Sequence, residues 1–227
     1  MNQETKKEIA IAMSLTQLVN DYINNVRPDR DLGLKALNLH KKAVINPLLI
    51  KSGDIVHVCT FGTHFNGKLN YNVTMARHQC HVAQHLTLVE TELKRINILS
   101  KSFSDFEDCY DYFQAFVTNF KTVNPSVKLG PMAIYDFAVR FYYVISKCHP
   151  DKYVYFQRGA YMGITNLFKC MGLPKPPKAR PLALSYTIEK AKLIAYPLIS
   201  SLSALRSDEI EDFCCNHKHK LLTISLP

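Results

Sequence analysis

Between Ile9 and Val26 the apolar residues recur at intervals of three and four, through Ala12, Met13, Leu15, Leu18, Val19, Tyr22 and Ile23, and the pattern stops before Pro28. That spacing places one apolar stripe along a helix over residues 4 to 26, and such a stripe has to be buried against another element. The same period governs most of the chain. It predicts a helix over residues 32 to 50 as far as Asn46-Pro47, with Leu34, Leu37, Ala43 and Val44 inward and the proline as a break. A further helix is expected over residues 73 to 100, through Met75, Val82, Leu86, Val89, Leu93 and Ile96. Ser104-Asp105-Phe106-Glu107 reads as a helix start with Ser104 as cap, and the helix it opens would bury Tyr110, Phe113, Phe116, Val117 and Phe120.

The second half continues with helices from Pro131 to about Ser146 and from about Arg158 to Met171, then a proline-rich connector, Leu-Pro-Lys-Pro-Pro-Lys-Ala-Arg-Pro, at residues 173 to 181. The connector is expected to be extended and polyproline-like. After it come a helix near residues 183 to 196 and a last helix beginning at Ser207-Asp208-Glu209, whose acids favour a helix N-terminus. Only residues 54 to 65 stand apart. Their β-branched and aromatic side chains, bounded by Gly53 and Asn66-Gly67, suit either a short strand or an irregular buried segment. The expected fold class is therefore mainly α, a compact multi-helix domain over residues 1 to 172. The connector follows, and residues 182 to 227 form a C-terminal helical pair packed back on the main body.

Composition supports a globular chain. With 227 residues, 47% hydrophobic and 21% charged, it can bury a core without disulfides or a structural metal. No run approaches the roughly 20 apolar residues of a membrane span, so no membrane partner is expected. The acids ahead of the first apolar residues do not fit a secretory signal. Seven dispersed cysteines, an odd number, fit reduced thiols and a cytoplasmic location.

The formal charge of +9 is uneven. Residues 121 to 180 carry ten basic and two acidic side chains, a net of +8. A polyanion gains affinity from such a cluster through release of condensed counterions. A solvated basic surface, or one that meets an acidic protein, accounts for the same count.

Within that stretch Val127-Lys128-Leu129-Gly130-Pro131-Met132-Ala133 joins two predicted helices. Pro131 suits the first helical position, Gly130 suits a tight turn, and first-turn amides beside Lys128 are disposed to hold a phosphate. A plain interhelical turn would have the same sequence. Gly130-Pro131-Met132-Ala133, followed by Ile134-Tyr135-Asp136-Phe137-Ala138 and then by extended Tyr153-Val154-Tyr155 before a helix ending at Met171-Gly172-Leu173, is similar to the layout of helix-hairpin-helix DNA glycosylases. It most resembles the 8-oxoguanine glycosylase branch. The resemblance covers residues 105 to 173 and implies a hairpin that holds DNA backbone through main-chain amides. It also implies a lysine that attacks the sugar and, roughly 20 residues later, an aspartate that assists base loss. Met132 stands at the lysine position, and a thioether cannot form a Schiff base, so lyase activity is not expected. Asp151 falls near the aspartate position by count, Tyr155 or Gln157 by alignment of the extended segment. An ordinary turn residue before Lys152 is the other role open to Asp151.

Two clusters have metal-ligand residue types. His81 and His85 share a helical face beside His78 and Cys80, with His57, Cys59 and His64 in the preceding segment; Cys214-Cys215-Asn216-His217-Lys218-His219 lies near the C-terminus. Neither has paired Cys-x-x-Cys spacing, and Val82 stands where a His-Glu-x-x-His site needs its glutamate, so no metal or other cofactor is expected. Tyr142, Tyr143, Tyr153, Tyr155, Phe156 and Tyr161 sit among Lys147, Lys152 and Arg158. Most are expected in the core, with Tyr155 and Arg158 exposed and available to unpaired bases.

These residues lead to a DNA-binding protein on a glycosylase-like scaffold without lyase activity. Lys128, Gly130 and Met132 would form the phosphate site, Lys121, Lys152, Arg158 and Lys169 would add electrostatic affinity, and Tyr155 would touch bases. The alternatives are a non-enzymatic module that meets a protein partner through the basic face or the connector, and a monofunctional glycosylase using Asp151 and water.

Overall fold

The computed structural model describes residues 3–28, 55–61, 64–65, 71–72, 83–222 and 224. The described chain is mostly helical, as the periodicity requires. It divides into two compact units, one formed by Met1–Arg27 with His149–Pro227, the other by Pro28–Cys148. We call these the terminal and the inserted unit. This differs from the expected body over 1 to 172. The reason lies in the first helix, α1 (Gln3–Asn25), whose stripe of Ile11, Leu15, Val19 and Tyr22 is buried in the same core as Val154, Phe168, Leu202, Ile210 and Phe213. Burial of that stripe joins the two ends of the chain, and the middle forms a core of its own.

In the inserted unit, Ile55–Phe61 is a helix, α2. Ile55, Val56, Cys59 and Thr60 are buried at one-face helical spacing, which settles most of the 54 to 65 segment as helix rather than strand or irregular loop. A strand occurs only at its end, where β1 (His64–Phe65) pairs antiparallel with β2 (Tyr71–Asn72). The next helix, α3 (Ala83–Arg95), buries Leu86, Val89 and Leu93 and stops at Asn97, whose backbone turns left-handed at φ 50°. The helix expected over residues 32 to 50, and the part of the 73 to 100 helix before Ala83, lie outside the described residues.

Helix α4 (Phe106–Val123) is capped by Asp105, not Ser104. The Asp105 carboxylate accepts the Asp108 amide at 2.8 Å, and the Asp108 carboxylate accepts the Ser104 amide at 3.1 Å. Phe106, Tyr110, Phe113 and Val117 are buried, whereas Phe116 and Phe120 are half-buried. Helix α5 (Pro131–Ser146) packs on it through rings: Phe113 stacks on Phe141 at 5.1 Å, and Phe106 meets Tyr142 edge-on at 5.6 Å.

The terminal unit continues with β3 (Tyr153–Phe156) and α6 (Arg158–Cys170). The connector at 173 to 181 has neither helix nor strand. The helix expected over 183 to 196 is instead a strand, β4 (Tyr186–Glu189), and a short helix, α7 (Lys190–Ile194). Tyr186, Thr187 and Ile188 are β-favouring residues, and β4 pairs antiparallel with β3 in the register Tyr153↔Glu189 to Phe156↔Tyr186, so a non-local partner overrides the helical spacing. The final helix, α8 (Ser207–His217), begins where its acids place it.

Helices α6 and α8 cross closely enough to need glycine. A Cβ at Gly163 would lie 2.1 Å from the Cys214 carbonyl oxygen, whereas one at Gly130 meets nothing within 4 Å. Gly130 is also extended, at φ −109° and ψ −174°, a conformation open to any residue. Gly163→Ala should destabilise the protein by about 2 kcal/mol or more, because backbone must move. Gly130→Ala should cost less than about 1 kcal/mol, the scale of a lost cap preference. Denaturant melts of the two variants check the contrast.

Candidate nucleic-acid interface

The hairpin residues occupy the inserted unit. The loop between α4 and α5 buries Val127 and Leu129 and turns Lys128 and Gly130 outward. Lys121 is exposed, and its ammonium donates to the Leu129 carbonyl at 3.3 Å. The Lys128 amide donates to His85 Nδ1 at 3.2 Å, which leaves the expected first-turn amides after Gly130 and the Lys128 side chain untouched by that bond. The Gly130 carbonyl accepts the Ala133 and Ile134 amides at 3.1 and 3.4 Å, and Met132 is half-buried on the first turn. The turn is therefore built by packing and by Pro131 rather than by glycine's conformational freedom.

Asp151, Lys152, Tyr155, Arg158 and Lys169 all belong to the terminal unit. The 121 to 180 charge cluster is thus shared between two cores, with six of its ten cations following His149. Asp151 is exposed on the turn before β3. Lys152 and Arg158 are exposed at the start of β3 and α6, and Lys169 in the last turn of α6. Tyr155 contradicts its expected exposure: it is 0% exposed, and its hydroxyl accepts a hydrogen bond from Arg180. Strand β3 is covered on both faces over Val154 to Phe156, so the alternation that would have exposed one face is missing.

The connector supplies groups that sequence reasoning does not single out. It runs beside β4, with the Ala179 amide donating to the Thr187 carbonyl at 2.8 Å and the Arg180 amide to Thr187 Oγ1 at 2.9 Å. Along this strap, cations are seated on tyrosines. The Lys175 ammonium donates to the Tyr161 hydroxyl and lies 3.6 Å from the centre of that ring and 4.1 Å from that of Tyr186. The Arg180 guanidinium lies 5.7 Å from Tyr155 and 6.0 Å from Tyr153, and Lys152 lies 5.1 Å from Tyr153. Lys178 donates to the Pro181 carbonyl at 3.3 Å and to the Ala183 carbonyl. The Tyr186 hydroxyl donates to the Pro176 carbonyl, and burial pushes its pKa up, which keeps the donor protonated. Rings and neutral oxygens hold these ammonium and guanidinium groups without cancelling their charge. A sequence signal for the strap does exist: between Asp151 and Glu189 stand six basic residues and no acidic one.

Some of the side chains with metal-ligand chemistry make other contacts. His57 Nδ1 lies 2.9 Å from Glu90 Oε2, Glu90 also pairs with Lys94 at 2.5 Å, and His85 serves the Lys128 amide. His78, Cys80 and His81 lie outside the described residues. Cys214 is buried, its thiol pushed well up by desolvation. Among the described residues no group of three or more His, Cys, Asp and Glu side chains is placed to hold a metal ion, and no helix is long and apolar enough to cross a membrane. Comparison with protein-family models, with curated proteins and with solved structures finds no match to this chain.

His217 is a core histidine. It is stacked on Phe213 at 4.7 Å with Nδ1 3.1 Å from the Phe213 carbonyl, and burial holds its pKa below the ordinary value near 6.5. The unfolded chain therefore binds a proton that the folded chain refuses. His217's contribution to stability is complete above about pH 6.5 and is lost as pH falls toward the depressed folded value. Unfolding free energy measured from pH 8 to about 5 should fall through this window, and His217→Gln should flatten that part of the profile.

Proposed function

We propose that the protein binds DNA, and that the strap face of the terminal unit carries the binding. The observation behind this is the carboxylate-free stretch from Lys152 to Ile188, in which Lys152 immediately precedes β3, Arg158 and Lys169 lie on α6, and Lys175, Lys178 and Arg180 lie on the connector. Phosphate neutralisation by such a set releases counterions and favours a polyanion over a small acidic ligand. Lys128 and Lys121 at the hairpin form a second, smaller basic set in the inserted unit. The order of helix, hairpin, helix, extended segment and helix over residues 106 to 170 supports a glycosylase-like scaffold for this binding function. Asp151 is given no catalytic role, because a base-excising carboxylate works in a pocket that takes a flipped nucleotide and this one is exposed in solvent.

Fluorescence anisotropy with labelled DNA tests the proposal. Binding should be present at about 50 mM salt and should weaken linearly in log–log form as salt rises. The combined substitution Lys152→Glu, Arg158→Glu and Lys169→Glu, all at exposed positions, should lower affinity by about tenfold or more and reduce the salt slope by roughly 0.7 to 0.9 for each phosphate no longer neutralised. Lys128→Glu should have the smaller effect of the two. Absence of binding at low salt, or binding indifferent to the triple substitution, overturns the strap face as the site.

A further inference from the structure

We propose that Tyr161 is a stacking platform for an unpaired base, so that the DNA taken by the strap face is single-stranded; this rests on the DNA-binding reading above. Helix α6 buries Ala160, Gly163, Ile164, Leu167 and Phe168 and turns Arg158, Tyr161, Met162 and Lys169 to solvent. Tyr161 thus sits one turn after Arg158 and two turns, about 12 Å, before Lys169 along the helix axis. A cation, an aromatic ring and a second cation along one exposed line is the pattern that grips a single strand, with bases stacked on the ring and phosphates on the charges.

The other tyrosines of this face are less exposed, although Tyr161 also has the Lys175 ammonium 3.6 Å from its ring centre, so the base would take the ring surface that Lys175 leaves open. Tyr155 is fully buried, and Tyr153 and Tyr186 are half-buried. Tyr161 is 40% exposed. It is also held: its ring meets Tyr186 edge-on at 5.2 Å and 75°, and its hydroxyl accepts from Lys175. A ring already fixed loses little rotamer freedom when a base lands on it. A duplex keeps its base faces stacked inside and shows this surface mainly phosphates, to which the ring adds nothing.

The test compares a labelled oligothymidine single strand with a labelled duplex of equal length at matched salt, using the full chain. Wild type should bind the single strand more tightly than the duplex. Tyr161→Leu should weaken single-strand binding roughly 5- to 150-fold, the loss of one stacked base, while duplex binding changes less than about twofold. Tyr161→Phe should retain wild-type behaviour on both. Tighter duplex binding, an unchanged single-strand affinity in Tyr161→Leu, or an equal loss on both DNAs overturns the platform while leaving DNA binding intact. Failure of the wild type to bind either DNA at low salt instead removes the reading beneath it.

Discussion

Two carboxylates at the start of α8 hold the terminal unit together. Glu209 is 0% exposed and receives the Arg27 guanidinium on both oxygens, at 2.8 and 2.9 Å, together with the Arg206 guanidinium at 2.9 Å and the Arg206 amide at 2.7 Å. Asp208, equally buried, lies 3.5 Å from Arg206 Nε and 3.8 Å from His149 Nδ1. Arg27 is the last residue of the chain's first pass through this unit and His149 the first of its return. Glu209 therefore fastens the point at which the chain leaves, and Asp208 lies beside the point at which it comes back. Desolvating such charges is expensive unless each is matched, and removing one partner from a buried pair typically costs about 3 to 5 kcal/mol. The bidentate guanidinium, the capped amide and the positive end of the helix supply the match here.

That latch sets the geometry of the candidate site. Strand β3 begins four residues after His149, β4 pairs along it, and Thr187 on β4 fixes the connector through both its carbonyl and its hydroxyl. The latch also segregates charge. Residues 208 to 212 contain four acids, of which Asp208, Glu209 and Asp212 are buried, the last accepting the Tyr22 hydroxyl at 2.9 Å. These acids serve internal contacts. No acid occurs in sequence from Lys152 to Ile188, and Lys152, Lys175, Lys178 and Arg180 lie on tyrosines or carbonyls. After residue 180 basic and acidic residues are equal at five each, and three of those five acids are buried.

Much of the fold is legible in the sequence because helices are local. The Gly130-Pro131 junction and the apolar spacing place α5 and α6 within a residue or two of their observed ends, and the short extended segment before α6 is where β3 lies. What the sequence hides is non-local. Tyr186 to Glu189 carries a spacing that a helix could share, and only its pairing with Tyr153 to Phe156 decides for a strand. The stripe on α1 announces that it must be buried without saying against what, and its partner comes more than a hundred residues later. Ser104 and Asp105 are both good caps, and the choice between them depends on which side chain reaches the Asp108 amide.

The site is legible as chemistry but displaced in space. Sequence charge draws attention to residues 121 to 180 and then to the hairpin, because Gly130-Pro131 is the most recognisable local feature there. Yet Gly130 needs no glycine conformation, and the Lys128 amide is taken by His85. The prolines at 174, 176, 177 and 181 read in sequence as an extended connector, and they stiffen a strap that carries Lys175, Lys178 and Arg180. Exposure is the natural expectation for Tyr155, a strand residue soon followed by Arg158, but β3 is buried on both faces there, whereas Tyr161 one helical turn into α6 is 40% exposed. A cation seated on a tyrosine keeps its full charge for an incoming phosphate, whereas one paired with a carboxylate must first give up that partner. Lys121 at the hairpin likewise donates to a neutral carbonyl, so the preference proposed for the strap face rests on number, six cations from Lys152 to Arg180 against Lys121 and Lys128 at the hairpin.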